Sequence, residues 1–384
     1  MGSVSTLQTA NPSIGTVSRM PQTTTSPSTT TDVPFARLSR EMEILGPDQS
    51  GQAFGALWTP ILKPVGGYLQ FLRLGLIVSG GSGATTAAVL SADGPYNLIQ
   101  NLFLRDPFGQ PVIQADGYSL FLINMYSGQS GTLGFGNNPA VMPSWSASNT
   151  GGNLTVYLDV PFELDASGYG SLASMNAASQ PQLQVQFNTA ATVYSTVPVP
   201  TVGTIESLAN EMFWSAPVDH PEVAPPDLGS SGQWSVARAQ STVASNSYQR
   251  IVLPRVGTWI HTLILVLRDS TNARVDVWPP TDLTLWVDGV PIIFERFAER
   301  QDKMFRQFGV TRPSGVVVYS WRDSVQTFVS TADTYDCLLP TTPATLLEVA
   351  GTFGSFGGNS PGTITAITGE VFPVGGIPYT HLAS

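Results

Sequence analysis

ADGPYNLIQNLFLRDPFGQPVIQADGYSLFLINMYSG, residues 92–128, is the stretch whose reading decides the fold. It opens on a breaker, Asp93-Gly94-Pro95. In the run 97–105, Leu98, Gln100, Leu102 and Leu104 project to one side of an extended chain, and Ile99, Asn101, Phe103 and Arg105 to the other. Apolar residues on both faces, with amides between them, predict a strand held between layers. Asp106-Pro107-Phe108-Gly109 carries the residues of a type I turn: Asp first, Pro second, Gly fourth. Residues 110–114 return as a second strand, which Asp116-Gly117 breaks. The third apolar run, 118–126, has no period that chooses between strand and helix. Asp116 ahead of it and Gly128 behind it suit a short helix.

Working outward, 384 residues are enough for two or three domains with large cores. The net charge is −10, yet only 11% of residues are charged, against roughly 25% in an ordinary globular protein. Lys63 and Lys303 are the only lysines; Ser, Thr, Asn, Gln, Gly and Pro stand where charges normally would. A large, weakly charged surface favours a subunit covered by partners. The acidic balance argues against direct nucleic-acid binding, which needs a basic stripe. A single cysteine, Cys337, excludes an intramolecular disulfide framework. The first residues lack the basic and apolar regions of a secretory signal, and no run of eighteen apolar residues is present, so neither leader nor membrane span is expected.

Residues 1–34 form an arm too poor in large apolar groups to order itself, and are expected to be ordered only against a neighbour. Residues 35–222 read as one all-β domain, with strands at 68–79, 97–105, 110–114, 153–164, 182–188 and 205–214. A small-residue segment at 167–178 is read as a short helix, and 129–152 as a long loop presenting Phe135 and Trp145. A stiff Pro-rich, acidic linker covers 216–232. Residues 223–384 then carry the second all-β domain. Its most apolar strand is 259–268 (WIHTLILVLR), followed by strands at 283–287, 315–321, 334–339, 344–353 and 363–372. Residues 293–308 (IFERFAERQDKMFRQF) depart from this pattern. Their charges are dense, Phe294, Phe297, Met304, Phe305 and Phe308 fall at helical spacing, and Glu299 with Lys303 makes an i,i+4 pair, so an amphipathic helix is expected. Two β domains of this size fit jelly rolls better than the shorter immunoglobulin-like sandwich.

The opening stretch resembles the first jelly roll of the double jelly-roll major capsid proteins of tailless, membrane-containing phages, the tectiviruses. The residues that carry the resemblance are Gly94-Pro95, Asn97-Leu98-Ile99-Gln100 and Asp106-Pro107. It continues through Val160-Pro161, the strand 182–188, the charged helix 296–308, Pro313-Ser314-Gly315 and the strand 316–319, about two thirds of the chain. The arm departs from the family: it is rich in Pro and Thr, where the family's is often helix-forming and partly basic. The resemblance implies an all-β chain of two consecutive eight-stranded jelly rolls with a few short inserted helices. It implies homotrimers of pseudo-hexagonal outline that tile an icosahedral virion shell over an internal membrane. Neighbouring capsomers, penton and minor capsid proteins would be partners, the arm would contact the membrane, and assembly would take place in the host cytoplasm.

No catalytic, cofactor or metal site is expected. His220, His261 and His381 lack ligand spacing to one another, and His261 reads as a satisfied core residue. Gly80-Gly81-Ser82-Gly83 has no lysine in the position a phosphate loop needs. Asp219 and Glu222 suit a solvated linker. The residues singled out as subunit-interface candidates are Arg296, Arg300 and Arg306, basic forks in an acidic chain. The competing reading is a jelly-roll carbohydrate-binding or receptor-binding spike, with Phe135 and Trp145 stacking on sugar. A secreted β-sandwich glycosidase is a third, disfavoured by the lack of a leader.

Overall fold

A run such as WIHTLILVLR has no polar face, so it must be buried on both sides, and the fold is arranged to do this. A computed structural model describes residues 39–46, 49–64, 66–78, 81–82, 88–105, 111–126, 144–146, 153–162, 171–174, 180–195, 201–202, 204–215, 231–253, 256–308, 311–321 and 338–373. The arm 1–34, the turn 106–109, nearly all of the loop 129–152 and the linker up to residue 230 lie outside them. The main elements, in order, are β1 (Glu41–Ile44), β2 (Gly67–Val78), β3 (Ile99–Arg105), β4 (Pro111–Ala115), α1 (Gly117–Tyr126), β5 (Asn153–Pro161), β6 (Gln182–Phe187) and β7 (Ile205–Ser215). There follow β8 (Ser231–Val243), β9 (Tyr248–Val252), β10 (Trp259–Arg268), β11 (Leu283–Val287), β12 (Val290–Glu295), α2 (Phe297–Phe308), β13 (Val316–Ser320), β14 (Leu347–Thr352) and β15 (Gly362–Pro373).

These strands make three main sheets. The first runs β1-β7-β2-β5. The second is longer, β13-β10-β15-β8-β4-β3-β6, and ends on the short strand Leu57–Trp58. The third runs β9-β14-β11-β12. Among the described residues, strands before the linker pair with one another and strands after it likewise, except that β4 lies parallel to β8 at Ile113 and Val236. That one junction makes the second sheet continuous through both halves of the chain.

Two cores result. The first gathers residues of β2, β5 and β7 with those of β3, β4, β6 and α1; the second lies between β10, β13 and β15 on one side and β9, β11 and β14 on the other. β10 serves both: Ile264 and Val266 belong to the first core, Leu263, Leu265 and Leu267 to the second. The alternation on β13 is the same, Val316 and Val318 against Val317 and Tyr319.

The run 118–126 is a helix, and it shows no period because it has no wet side. It packs on β3, β5, β10 and the turn Tyr96–Leu98. Asp116 is its N-cap: the Ser119 N–H donates to Asp116 Oδ1 at 2.6 Å, and the Leu120 N–H to the Asp116 carbonyl at 3.0 Å. Gly117 opens it because a Cβ there would stand 2.0 Å from the Tyr96 carbonyl oxygen. The Tyr96 ring stacks on Phe121 with centroids 3.8 Å apart.

Three expectations need correction. The strand at 97–105 begins only at Ile99, after a turn of 3₁₀ helix at Tyr96–Leu98; it does run antiparallel to β4, with Leu104 opposite Ile113. In the segment 167–178, the described residues Leu172–Ala173 are extended and pair with Leu69 and Tyr68 of β2. The charged helix starts at Phe297, not residue 293. Asp288 and Gly289 take φ of 51° and 79°, a hairpin turn that returns the chain as β12 against β11, with Ile293 opposite Leu285.

Glu211 on β7 is fully buried and accepts the Lys63 N–H at 2.6 Å. Burial pushes its carboxyl up to about 7, against the lowering effect of Lys63. A folded value above the unfolded one means that the native state holds a proton the unfolded chain releases. This contribution is therefore complete below the unfolded value and is lost as pH rises through about 7. Glu211→Gln should melt with the parent at pH 4 and a few degrees above it at pH 8, read by scanning calorimetry. Asp116→Ala should lose about 1 kcal/mol from the cap and up to about 1 kcal/mol from its ion pair with Arg238, whereas Asp116→Asn should keep the cap and lose only the second part, read by urea unfolding.

Candidate functional site

β12 and α2 form one unit on the second half of the chain. α2 begins after Arg296, whose backbone N–H donates to Glu299 Oε2 at 3.3 Å, half of a capping box. On its inner side, Met304 is buried and its sulfur accepts the Val318 N–H at 3.4 Å. Phe308 meets the Tyr126 ring of α1 edge-on at 5.0 Å.

The three arginines separate. Arg300 is turned inward and is 7% exposed. Its guanidinium lies 4.6 Å from the Tyr319 ring centroid, donates to the Val318 carbonyl and stands 3.4 Å from Glu295 Oε1. Lys303 Nζ approaches the other oxygen of Glu295 at 2.6 Å. The expected Glu299–Lys303 pair is thus replaced by a bond to Glu295, which is buried at the end of β12 and needs cations more than a solvated Glu299 does. Arg300 works inside the chain, holding α2 to β12 and β13. Arg296 and Arg306 remain on the surface, Arg306 in an exposed pair with Asp302 at 2.9 Å.

Beside them the surface is apolar. Phe294 is 70% and Phe305 56% exposed, with Val290 and Ile292 in the same strand as Phe294; Tyr248 and Val252 are exposed on β9, the opposite edge of that sheet, and Leu346 just before β14. These are seven of the twelve exposed large apolar side chains among the described residues. The outer face of an antiparallel sheet is usually polar, so large apolar side chains standing in solvent there are a departure from the ordinary pattern. Helical spacing had placed Phe294 on the packing face of the helix; strand alternation turns it outward. The signal that could have found this is Asp288-Gly289 between two apolar runs.

A second cluster lies where the two halves meet. Asp93 pairs with Arg268 Nη1 at 2.8 Å and with Arg274 Nε at 3.0 Å. Both guanidinium groups stand over the Tyr118 ring, 5.5 and 5.0 Å from its centroid. Asp116 pairs with Arg238. Asp93, Asp116, Tyr118, Arg238 and Arg268, with Asn97, Gln240 and Thr365, line a polar cleft of about 450 Å³. Burial pushes the Tyr118 hydroxyl up to about 12, so it stays a neutral phenol. No spacing in the sequence links these residues; the fold alone gathers them.

His261 is buried, with Nδ1 2.7 Å from Thr262 Oγ1. Trp145 sits in the short strand Ser144–Ser146 paired to β5, while Phe135, His220, His381, Asp219, Glu222 and Cys337 lie outside the described residues.

No protein-family model matches the sequence, and no curated protein matches it. Solved structures do. The chain is similar to the STIV major capsid protein, from Sulfolobus Turreted Icosahedral Virus, at a TM-score of 0.63 and 17% identity over 90% of this chain and 99% of that one. It is similar to the PBCV-1 virus capsid chain at a TM-score of 0.56 and 10% identity, over 87% and 95% of the two chains. For the Faustovirus major capsid protein the values are 0.56 and 8%, over 88% and 91%. At such identities the likeness is one of fold, and that fold is the double jelly roll.

The two surroundings of α2 separate its arginines in a stability measurement. Arg300→Ala should cost about 3 kcal/mol, the low end for breaking a buried pair, because Lys303 still reaches Glu295. Arg306→Ala should change stability by no more than about 0.5 kcal/mol. Denaturant unfolding of the two variants under one buffer makes the comparison.

Proposed function

We propose that this chain, a double jelly roll, is a viral major capsid protein and has no enzymatic role. The observation that carries the reading is the span of the likeness: both rolls, in order, over nearly the whole of this chain and of the STIV subunit. A likeness confined to one roll would serve a lectin or a glycosidase as well. The exposed apolar sheet face and the low content of charge support burial of much of this surface by other subunits.

In the finer reading, residues 1–34 are an arm, 35–222 the first roll and 223–384 the second. Three copies form a pseudo-hexagonal trimer, and trimers tile an icosahedral shell over an internal membrane, as in tectivirus-type capsids. Penton and minor capsid proteins complete the shell, the arm meets the membrane, and assembly occurs in the host cytoplasm. Arg296 and Arg306 lie on a subunit-contact surface, which Arg300 supports from within by holding α2 in place.

Light scattering on the purified protein tests this. The expected species has three times the 40.8 kDa chain mass and persists on dilution to micromolar concentration. A 40.8 kDa species that stays monomeric at every concentration and binds glycans would replace the capsid reading with the carbohydrate-binding one.

A further inference from the structure

The polar cleft between the two halves of the chain exists because β4 is short. β4 lies beside β8 at Ile113 and Val236, and after Ala115 the chain leaves the sheet to become α1. Among the described residues no strand pairs with that side of β8 beyond this point, and the sheet opens at Arg238 and Gln240. Residues of the segment 91–100 bound the gap together with residues of β8, β10, β15 and the turn 271–273. Its volume, about 450 Å³, is that of a small-molecule site.

The charges of the lining cancel. Asp93 pairs with Arg268 and Asp116 with Arg238, each pair taking its acid from before the linker and its arginine from after it. The side chains of Asp93 and Arg268 are only 15% and 9% exposed. An anion would have to draw an arginine from its carboxylate, and a cation a carboxylate from its arginine. Either leaves a charge without its partner in a poorly hydrated place. A neutral ligand disturbs neither pair.

Hydrogen-bonding capacity is left over for such a ligand. Arg268 uses Nη1 on Asp93 and on the Asn272 carbonyl, and Arg238 uses Nη1 on Asp116. Their other guanidinium nitrogens have no acceptor among the described residues. Gln240 donates to Thr365 Oγ1 at 3.3 Å and keeps its carbonyl oxygen; Gln100 is exposed in the cleft. Donors and acceptors therefore alternate around the lining, guanidinium beside carboxylate and amide beside hydroxyl. The group that complements both is one that donates and accepts at once, a hydroxyl. Ile99, Val266 and Ile367 add an apolar wall to the same cleft. A ring that carries several hydroxyls and presents a C–H face satisfies the two kinds of lining together.

We propose that this cleft binds a neutral saccharide of one or two rings, held by residues from both halves of the chain. Bound there, the sugar bridges the segment 91–100 to β8 and β15 across the gap that β4 leaves. The site lies within one chain, so the inference is independent of the capsid reading.

Saturation-transfer difference NMR on the full-length protein tests it, with D-glucose, D-galactose, D-mannose, N-acetyl-D-glucosamine, maltose and trehalose as probes. At least one sugar should give a saturable signal, strongest at the ring C–H protons of one face. Gln100→Ala with Gln240→Ala should weaken that binding tenfold or more, while the melting temperature without sugar stays within about 2 °C of the parent's. Gln240→Trp, which fills the cleft, should abolish it. Silence from all six sugars, equal binding by the parent and the double variant, or tighter binding of acetate or methylammonium than of any sugar at these residues overturns the inference. None of these outcomes moves the oligomeric state, on which the capsid reading is tested.

Discussion

The structure depends on a sheet that is dry on both faces. β10 has apolar side chains on both of its sides, and each side meets a different core. Both of its backbone edges must then be satisfied within protein, and they are, by β13 on one side and β15 on the other. Its polar members His261 and Thr262 are tolerated on the same terms. His261 and Thr262 face each other at 2.7 Å, and the His261 carbonyl accepts the Trp321 N–H at 3.2 Å. The third sheet covers one face. The other is covered by α1, contributed by the opposite roll, so the rolls are joined by a shared core as well as by the β4–β8 contact.

The two helices show how surroundings select sequence. α1 is enclosed by its own chain, so nine of its ten residues are buried and it carries no charge. α2 occupies the corresponding place in the second roll but is enclosed on one side only. Met304 and Arg300 are buried there, while Asp302, Lys303, Phe305 and Arg306 are exposed. Its density of charge has a specific cause. Glu295 ends β12 in the interior, and a buried carboxylate is costly without a partner; Arg300 and Lys303 are the partners.

Much of the fold was legible in the residues, because alternation, breakers and apolar runs are local signals. Asp116 and the apolar run after it announce a capped helix, and WIHTLILVLR announces a strand with two buried faces. The start of α2 was misplaced because Phe294 falls on a helical stripe with Phe297 and Phe305 as well as on a strand, and only the Asp288-Gly289 turn decides between them. The role of Arg300 was misjudged for a related reason. A helical wheel states which residues share a face but not which face is covered, and the Glu295 that draws Arg300 inward belongs to another element. The cluster of Asp93 with Arg268 and Arg274 was beyond reach, since these residues are brought together only by the junction of the rolls.

The low charge content has a second meaning that composition does not show. Many of the scarce cations are spent inside the chain, joining elements that are distant in sequence: Arg73 with Asp159, Arg268 with Asp93, Arg312 with Asp276. The near-exclusion of lysine follows from how these joints are built. Arg312 forks onto Asp276 at 2.8 and 2.9 Å while its guanidinium stands 4.8 Å from the Phe297 ring centroid. Arg250 is paired with Glu348 and stands 4.4 Å from Trp286. A flat, weakly hydrated guanidinium can stack and fork at once; an ammonium cannot. With few other charges near, each pair has few wrong partners, so such joints contribute register more than net stability. That leaves a surface of neutral polar groups interrupted by a few basic and acidic positions.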